Sequence, residues 1–317
     1  MTNRMYTIAV IGVFALATLL PAQTFTTLHN FTGRSDGGFS TTGLVQDPSG
    51  NLYGTTNAGG DLKNNCAPYG CGVVFKVRTT GRETVLHTFT NTPDGGGPSA
   101  PVVRDKAGNI YGTTVGGGSG NGSYGTVFKI DTAGKETVLY SFAGGSDGCA
   151  PYQGLIMDKA GHLYGTTLSC PPPYYYGTIF KIDSVGKFTL LHSFAGSDGA
   201  NPGGGRLTMD RAGNLYGVAS FGGVYNRGVV YKLSKSGKFA RLYSFKGGTT
   251  DGWGPEGTVV LDQSGNLYGT TTLGGSSQNG IIWKVSPTGQ ETILHTFAGG
   301  ASDGWIIGSI ELLEQSG

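Results

Sequence analysis

Residues 100–142 read APVVRDKAGNIYGTTVGGGSGNGSYGTVFKIDTAGKETVLYSF. Four stretches of strand text stand out: APVVRD (100–105), NIYGTT (109–114), TVFKID (126–131) and ETVLYSF (136–142). The short connections DKAGN and DTAGK place Asp first and Gly where the backbone needs a positive φ, which suits a tight hairpin. A longer Gly-rich loop, VGGGSGNGSYG, joins the second stretch to the third. Beyond the first 22 residues no stretch shows a helical period of apolar residues.

The same text recurs. NIYGTT returns as NLYGTT at 51, HLYGTT at 162, NLYGVA at 214 and NLYGTT at 266, so that its Tyr falls at 53, 111, 164, 216 and 268, with spacings of 58, 53, 52 and 52. VFKI-like text keeps the same beat at 74, 127, 179, 230 and 282, and a Leu-x-x-Phe pair occurs six times, from Leu28 and Phe31 to Leu294 and Phe297. A period near fifty residues means a solenoid or a propeller. Four antiparallel strands per period, joined to the next unit by a longer link, make a propeller blade. The expected fold is therefore all-β: a β-propeller of four-stranded antiparallel blades, five complete, plus an incomplete sixth made of N- and C-terminal strands. TFTTLHNF (24–31) reads as a lone fourth strand, and 303–317 repeats 251–265 up to the point where NLYG would follow. A six-bladed design about thirty residues short of its repeat is favoured over five blades that close alone.

Alternating strands put both tight turns of a repeat at one end, and the variable loops and links at the other. Leu155-Ile156-Met157 and Val259-Val260-Leu261 are apolar on both sides, so the first strand is expected to be buried on both faces and nearest the axis.

The repeat text, F-x-G-G-x-x-D-G … D-x-x-G-N-L-Y-G-T-T … G-x-V-F-K-I … G-K-E-T-x-L-x-S-F, resembles the Gloeo_Verruco (GloVer) tandem repeat over nearly the whole chain after residue 22. The resemblance implies an exported bacterial repeat protein, secreted, periplasmic or at the cell surface, and says more about location and architecture than about chemistry.

Bulk composition narrows the classes. The chain has 317 residues with 59 Gly, and its 22 Lys and Arg nearly balance 20 Asp and Glu. With 16 Tyr and 15 Phe it is too aromatic for a disordered chain. A formal charge of +2 offers no field for neutralising phosphates, so no nucleic-acid partner is expected. Arg4, an apolar run from Tyr6 to Leu20 and Pro21-Ala22 have the layout of a secretory leader. The domain reading is a signal peptide at 1–22 and a single propeller domain at 23–317, with no transmembrane segment in the mature chain.

Four cysteines follow the leader: Cys66, Cys71, Cys149 and Cys170. An even count in an exported chain points to disulfides, with three pairings open. Cys149 and Cys170 fall in the loops of one repeat, so the expected bonds are Cys66–Cys71 and Cys149–Cys170. Neither a metal site nor a cofactor is expected, because no clustered His or second close Cys pair accompanies them.

Chemistry-bearing residues mostly repeat. Asp36, Asp94, Asp147, Asp198, Asp251 and Asp303 each precede Gly in a link, and Asp47, Asp105, Asp158, Asp210 and Asp262 head the tight turns. Both sets read as turn caps. His29, His87, His192 and His295 share one place in the fourth strand with Tyr140 and Tyr243, which reads as a packed ring with a polar tip. Lys76, Lys129, Lys181, Lys232 and Lys284 read as stems covering apolar surface. Glu83, Glu136 and Glu291 are expected to lie too far apart for paired-carboxylate chemistry. Nucleophile and phosphate-loop signatures are missing.

Aromatic residues in the variable segments remain: Trp253 and Trp305 after Asp-Gly, then Tyr174, Tyr175, Tyr176, Phe221 and Tyr225. Rings on a rigid rim suit stacking on sugars or anchoring a protein. The expected function is non-enzymatic binding of extracellular polysaccharide or a surface protein through these residues. The alternatives are a carbohydrate-active hydrolase or lyase with acids in the central channel, and a purely structural surface scaffold.

Overall fold

Each repeat folds where its turn chemistry says it should. In the computed structural model, which describes residues 25–304 except 41, 120–121, 169, 171–175 and 301–302, five four-stranded antiparallel sheets follow one another along the chain. They span 45–88, 103–141, 156–193, 208–244 and 252–296, here sheets I to V, each with its strands in sequence order. Among the described residues the one helical element is a 3-10 turn at Asn64–Cys66. The leader and the C-terminal strand of the expected sixth blade lie outside the described residues. Phe31 packs on sheet I, but Thr26–Phe31 carries no strand, because no described strand lies beside it to complete a ladder.

The six letters of NIYGTT can now be read physically. Asn109 and Tyr111 both donate to Asp105 Oδ2, at 2.7 and 3.1 Å, closing the first tight turn. Gly108 in that turn has φ +98°, open to glycine at little cost. Gly112 is opposite Phe128 in the ladder, and a Cβ on it would meet the Phe128 Cζ at 2.5 Å. The same cross-strand pairing sets Gly54 against Phe75, Gly165 against Phe180, Gly217 against Tyr231 and Gly269 against Trp283. Glycine is there because the ring lies over it. Thr114 Oγ1 then accepts the Thr126 N–H at 3.0 Å and is buried. Sheet IV writes Val218-Ala219 in place of the two threonines, filling the positions with apolar atoms.

Sheets pack face to face in chain order. Val74 and Phe89 of sheet I join Val102, Ile110 and Phe128 of sheet II. Equivalent clusters link II to III, III to IV and IV to V. At each interface the Phe ending one sheet tilts against the third-strand aromatic of the next, with centroids 5.1 Å apart for Phe89 and Phe128 and 5.6 Å for Phe245 and Trp283. Full burial of rings of this size dominates the energetics of such a core.

The first strands converge. A Cβ on Gly154 would touch Ala100 of the preceding repeat and approach Arg206 of the following one, and Thr208 Oγ1 donates to the Val259 carbonyl at 2.5 Å. They are not buried on both faces as the sequence suggested. Leu155 and Val259 are buried, whereas Ile156, Met157, Val260 and Leu261 are half-buried, because a strand at the inner edge of its sheet pairs with a neighbour on one side only.

Candidate functional site

Links and second-to-third loops meet at one end of the sheets. Backbone bridges tie a link to the second-to-third loop of the sheet it leads into: Gly38 to Ala58, Gly96 to Gly116, Cys149 to Leu168 and Ala200 to Phe221. Both disulfides lie here: Cys66 is bonded to Cys71 and Cys149 to Cys170, with Cα atoms 5.1 and 5.5 Å apart. Loops tied to a rigid frame are where binding residues collect.

The link aspartates cap these loops. Asp94 accepts the Thr90 N–H at 3.1 Å and the His87 Nε2 contact at 3.0 Å, and Asp251 accepts the Tyr243 hydroxyl at 2.9 Å. The recurring His or Tyr and the recurring Asp are thus partners within one link. His192 also stacks flat on Phe239 of the next sheet at 3.9 Å, and Tyr140 on Phe188 at 4.3 Å. The lysine stems run over the second-strand tyrosines, with Lys76 Nζ 5.2 Å from the Tyr53 ring centre and Lys232 Nζ 5.3 Å from that of Tyr216.

Of the aromatic candidates, Trp305, Tyr174 and Tyr175 lie outside the described residues. Phe221 and Tyr225 share the loop 220–228 of sheet IV and are 46% and 50% exposed, with Val224 between them at 62%. Trp253 belongs to the first strand of sheet V, yet it meets that loop. Arg227 holds its guanidinium carbon 3.8 Å from the Trp253 ring centre, and its carbonyl accepts the Gly254 N–H at 3.0 Å. Tyr176 occupies the matching loop of sheet III, and its carbonyl accepts the Asn201 N–H one residue from the Ala200–Phe221 bridge. The loop 220–228, the link 246–254 and the link 196–201 form one continuous rim.

A cavity of ≈ 930 Å³ opens at the opposite, turn end, between sheets IV and V, lined among others by Met209, Asp210, Arg211, Leu261, Asp262 and Gln263. Both of its carboxylates are already spoken for. Burial pushes Asp210 up, but donation from Asn214 and Tyr216 outweighs it and holds the carboxyl below its usual range. Asn266, first, and Tyr268 do the same for Asp262. The two carboxylates that line the cavity are thus shifted in the same direction, whereas a paired acid and base are set apart in opposite directions. Among the described residues, no group of three His, Cys, Asp or Glu is placed to hold a metal ion.

A sequence profile described as the Gloeobacter/Verrucomicrobia repeat matches residues 12–171 and 145–316. The chain belongs to that repeat family. No curated protein matches it. Among solved structures, a luciferin-regenerating enzyme is similar at 13% identity and a TM-score of 0.48, over 82% of this chain and 76% of that one. A protein of unknown function from Dyadobacter fermentans is similar at 12% identity and 0.45, over 82% and 83%. PorZ, a surface component of the type-IX secretion system of Porphyromonas gingivalis, is similar at 14% and 0.46, over 82% of this chain but 35% of that one. At such values none of them bears on what the Gloeobacter/Verrucomicrobia repeat chain binds.

One arrangement in this repeat-family protein escaped the sequence reading. Glu83, Glu136 and Glu291 belong to three different sheets, and each faces an aspartate of the preceding repeat: Asp36, Asp94 and Asp251. Burial, reinforced by Asp251, pushes Glu291 up to about 7. The equivalent places in sheets III and IV hold Phe188 and Phe239, which stack on the neighbouring ring. A position that takes Glu or Phe alike is a packing slot between sheets, and its signal was the alternation of those two residues at the start of the fourth strand.

Proposed function

We propose that this protein is an exported, non-enzymatic β-propeller that binds extracellular glycan or protein through its loop end. In this reading, residues 1–22 are a leader and 23–317 one domain, whose sheets are blades around an axis. The sixth blade combines strands from both ends. Two observations support the closed arrangement: the first strands converge, and the outer face of sheet V carries a spare copy of the inter-sheet contact. His295 there is 44% exposed at its side chain, against 19% for His87 and 17% for His192. The two disulfides support secretion to the periplasm, the cell surface or the medium. No helix of the described residues is long and apolar enough to cross a membrane.

The observation that carries the binding reading is the cluster of Phe221, Val224 and Tyr225 beside Trp253, a half-buried ring next to three exposed apolar side chains on one rigid rim. Rings held this way offer contact area at low entropic cost. A hydrolase or lyase reading finds no support in the turn-end cavity, whose two carboxylates are both held ionised. The test is a glycan array probed with the wild type and with Trp253→Ala. The wild type is expected to retain a subset of glycans, and the variant to bind them about tenfold more weakly. Retention of nothing by the wild type would leave the scaffold reading in its place.

A further inference from the structure

We propose that the rim between sheets IV and V takes acidic glycans, with the Arg227 guanidinium gripping a uronate carboxylate while the sugar ring lies on the neighbouring aromatic shelf. This rests on the loop-end binding reading above and narrows it to one substrate class.

Arg227 is built into its place. Its carbonyl is tied to the Gly254 N–H, its stem runs past Gly247, where a Cβ would meet Cγ, Cδ and Nε at 3.5 Å, and its guanidinium lies over Trp253. A guanidinium is always charged, and stacking occupies its flat face while leaving the N–H edge for a planar anion. That edge is uncommitted: no described carboxylate lies within 4.0 Å of it, and it donates no hydrogen bond to a described protein atom. The acid of the adjoining link, Asp251, is buried and occupied by the Tyr243 hydroxyl and the backbone N–H groups of Lys246 and Gly252. Lys246, exposed on the same link, adds a second positive charge.

An oriented cation with no carboxylate partner among the described residues, in the loop that also carries Phe221 and Tyr225, matches a ligand that has both an apolar ring face and a carboxylate. A neutral sugar would stack equally well but leave the guanidinium desolvated and unpaired, which costs affinity. Trp253 then acts as the platform that fixes Arg227 rather than as the shelf itself.

The experiment compares polygalacturonate with its highly methyl-esterified form, which keeps the sugar and removes the charge. Affinity electrophoresis or calorimetry is run on the wild type, Arg227→Gln and Arg227→Lys. The wild type is expected to prefer the acid polymer by about tenfold, as a charge-assisted contact implies, with the preference shrinking as salt is raised. Arg227→Gln should remove the preference, so that the acid polymer binds no more tightly than the ester. Arg227→Lys, which keeps the charge and loses the fork, should retain part of it, and this holds the test open if Arg227→Gln melts early. Equal binding of both polymers by the wild type would overturn the acidic assignment while leaving loop-end recognition standing. Failure to bind either polymer, or any glycan on the array, would overturn both.

Discussion

Replacing Phe128 by Ala is expected to destabilise the protein by about 3–5 kcal/mol, the cost of deleting a large ring from a closed core. Phe128 is fully buried, tilted against Phe89 of sheet I and laid over Gly112 of its own sheet. Gly112→Ala alone should cost about 1–3 kcal/mol, because its Cβ would press on the ring. Combined, the two changes should not add. With the ring gone, Ala at 112 meets no clash, and its lower backbone entropy in the unfolded chain makes it neutral or mildly stabilising. A urea-unfolding cycle over the four proteins measures this coupling. Additivity within about 0.5 kcal/mol would mean that Gly112 is not holding space for Phe128. The same cycle should give the same sign at Gly269 and Trp283.

Asp210→Ala should cost about 2 kcal/mol at pH 7, since a charged acceptor in a turn loses all of its donors at once. Its carboxylate accepts the N–H groups of Ala212 and Asn214, the Asn214 amide and the Tyr216 hydroxyl. Removing it takes away the acceptor of the Tyr216 hydroxyl beside the turn-end cavity. The pH dependence has a fixed direction. Because the folded-state pKa of Asp210 is depressed, its contribution is present above the ordinary carboxylate range and lost as pH falls through the folded value. Wild type and variant should therefore differ in thermal midpoint at pH 7 and draw together as the pH falls below the ordinary carboxylate range, about 4. A gap that persists unchanged into acid would show that the carboxylate charge is not what holds the turn.

The repeat was legible because its signals are local. Asp47 and Gly50, or Asp210 and Gly213, sit within one turn, and positive φ at the glycines follows from turn geometry alone. Cysteine pairing was legible for the same reason, since each bond closes within one repeat. What stayed hidden were contacts between positions far apart in sequence. Gly112 and Phe128 are cross-strand neighbours across a loop, and the text offers no sign that one makes room for the other. Glu136 meets Asp94 only because sheet II packs on sheet I. Trp253 was legible as a loop-end aromatic, but not that Arg227 of the previous repeat would cover it. The first strand misled because its apolar run implied two buried faces, whereas a strand at the inner edge of its sheet gains a neighbour on one side.

The claim that recognition belongs to the loop end is tested most directly by hydrogen–deuterium exchange with and without saturating polygalacturonate. Protection is predicted in segments 196–201, 220–228 and 246–254, with no change in the turn-end segments 208–212 and 258–265. Protection confined to those turn-end segments would place the ligand in the cavity between sheets IV and V and contradict the account.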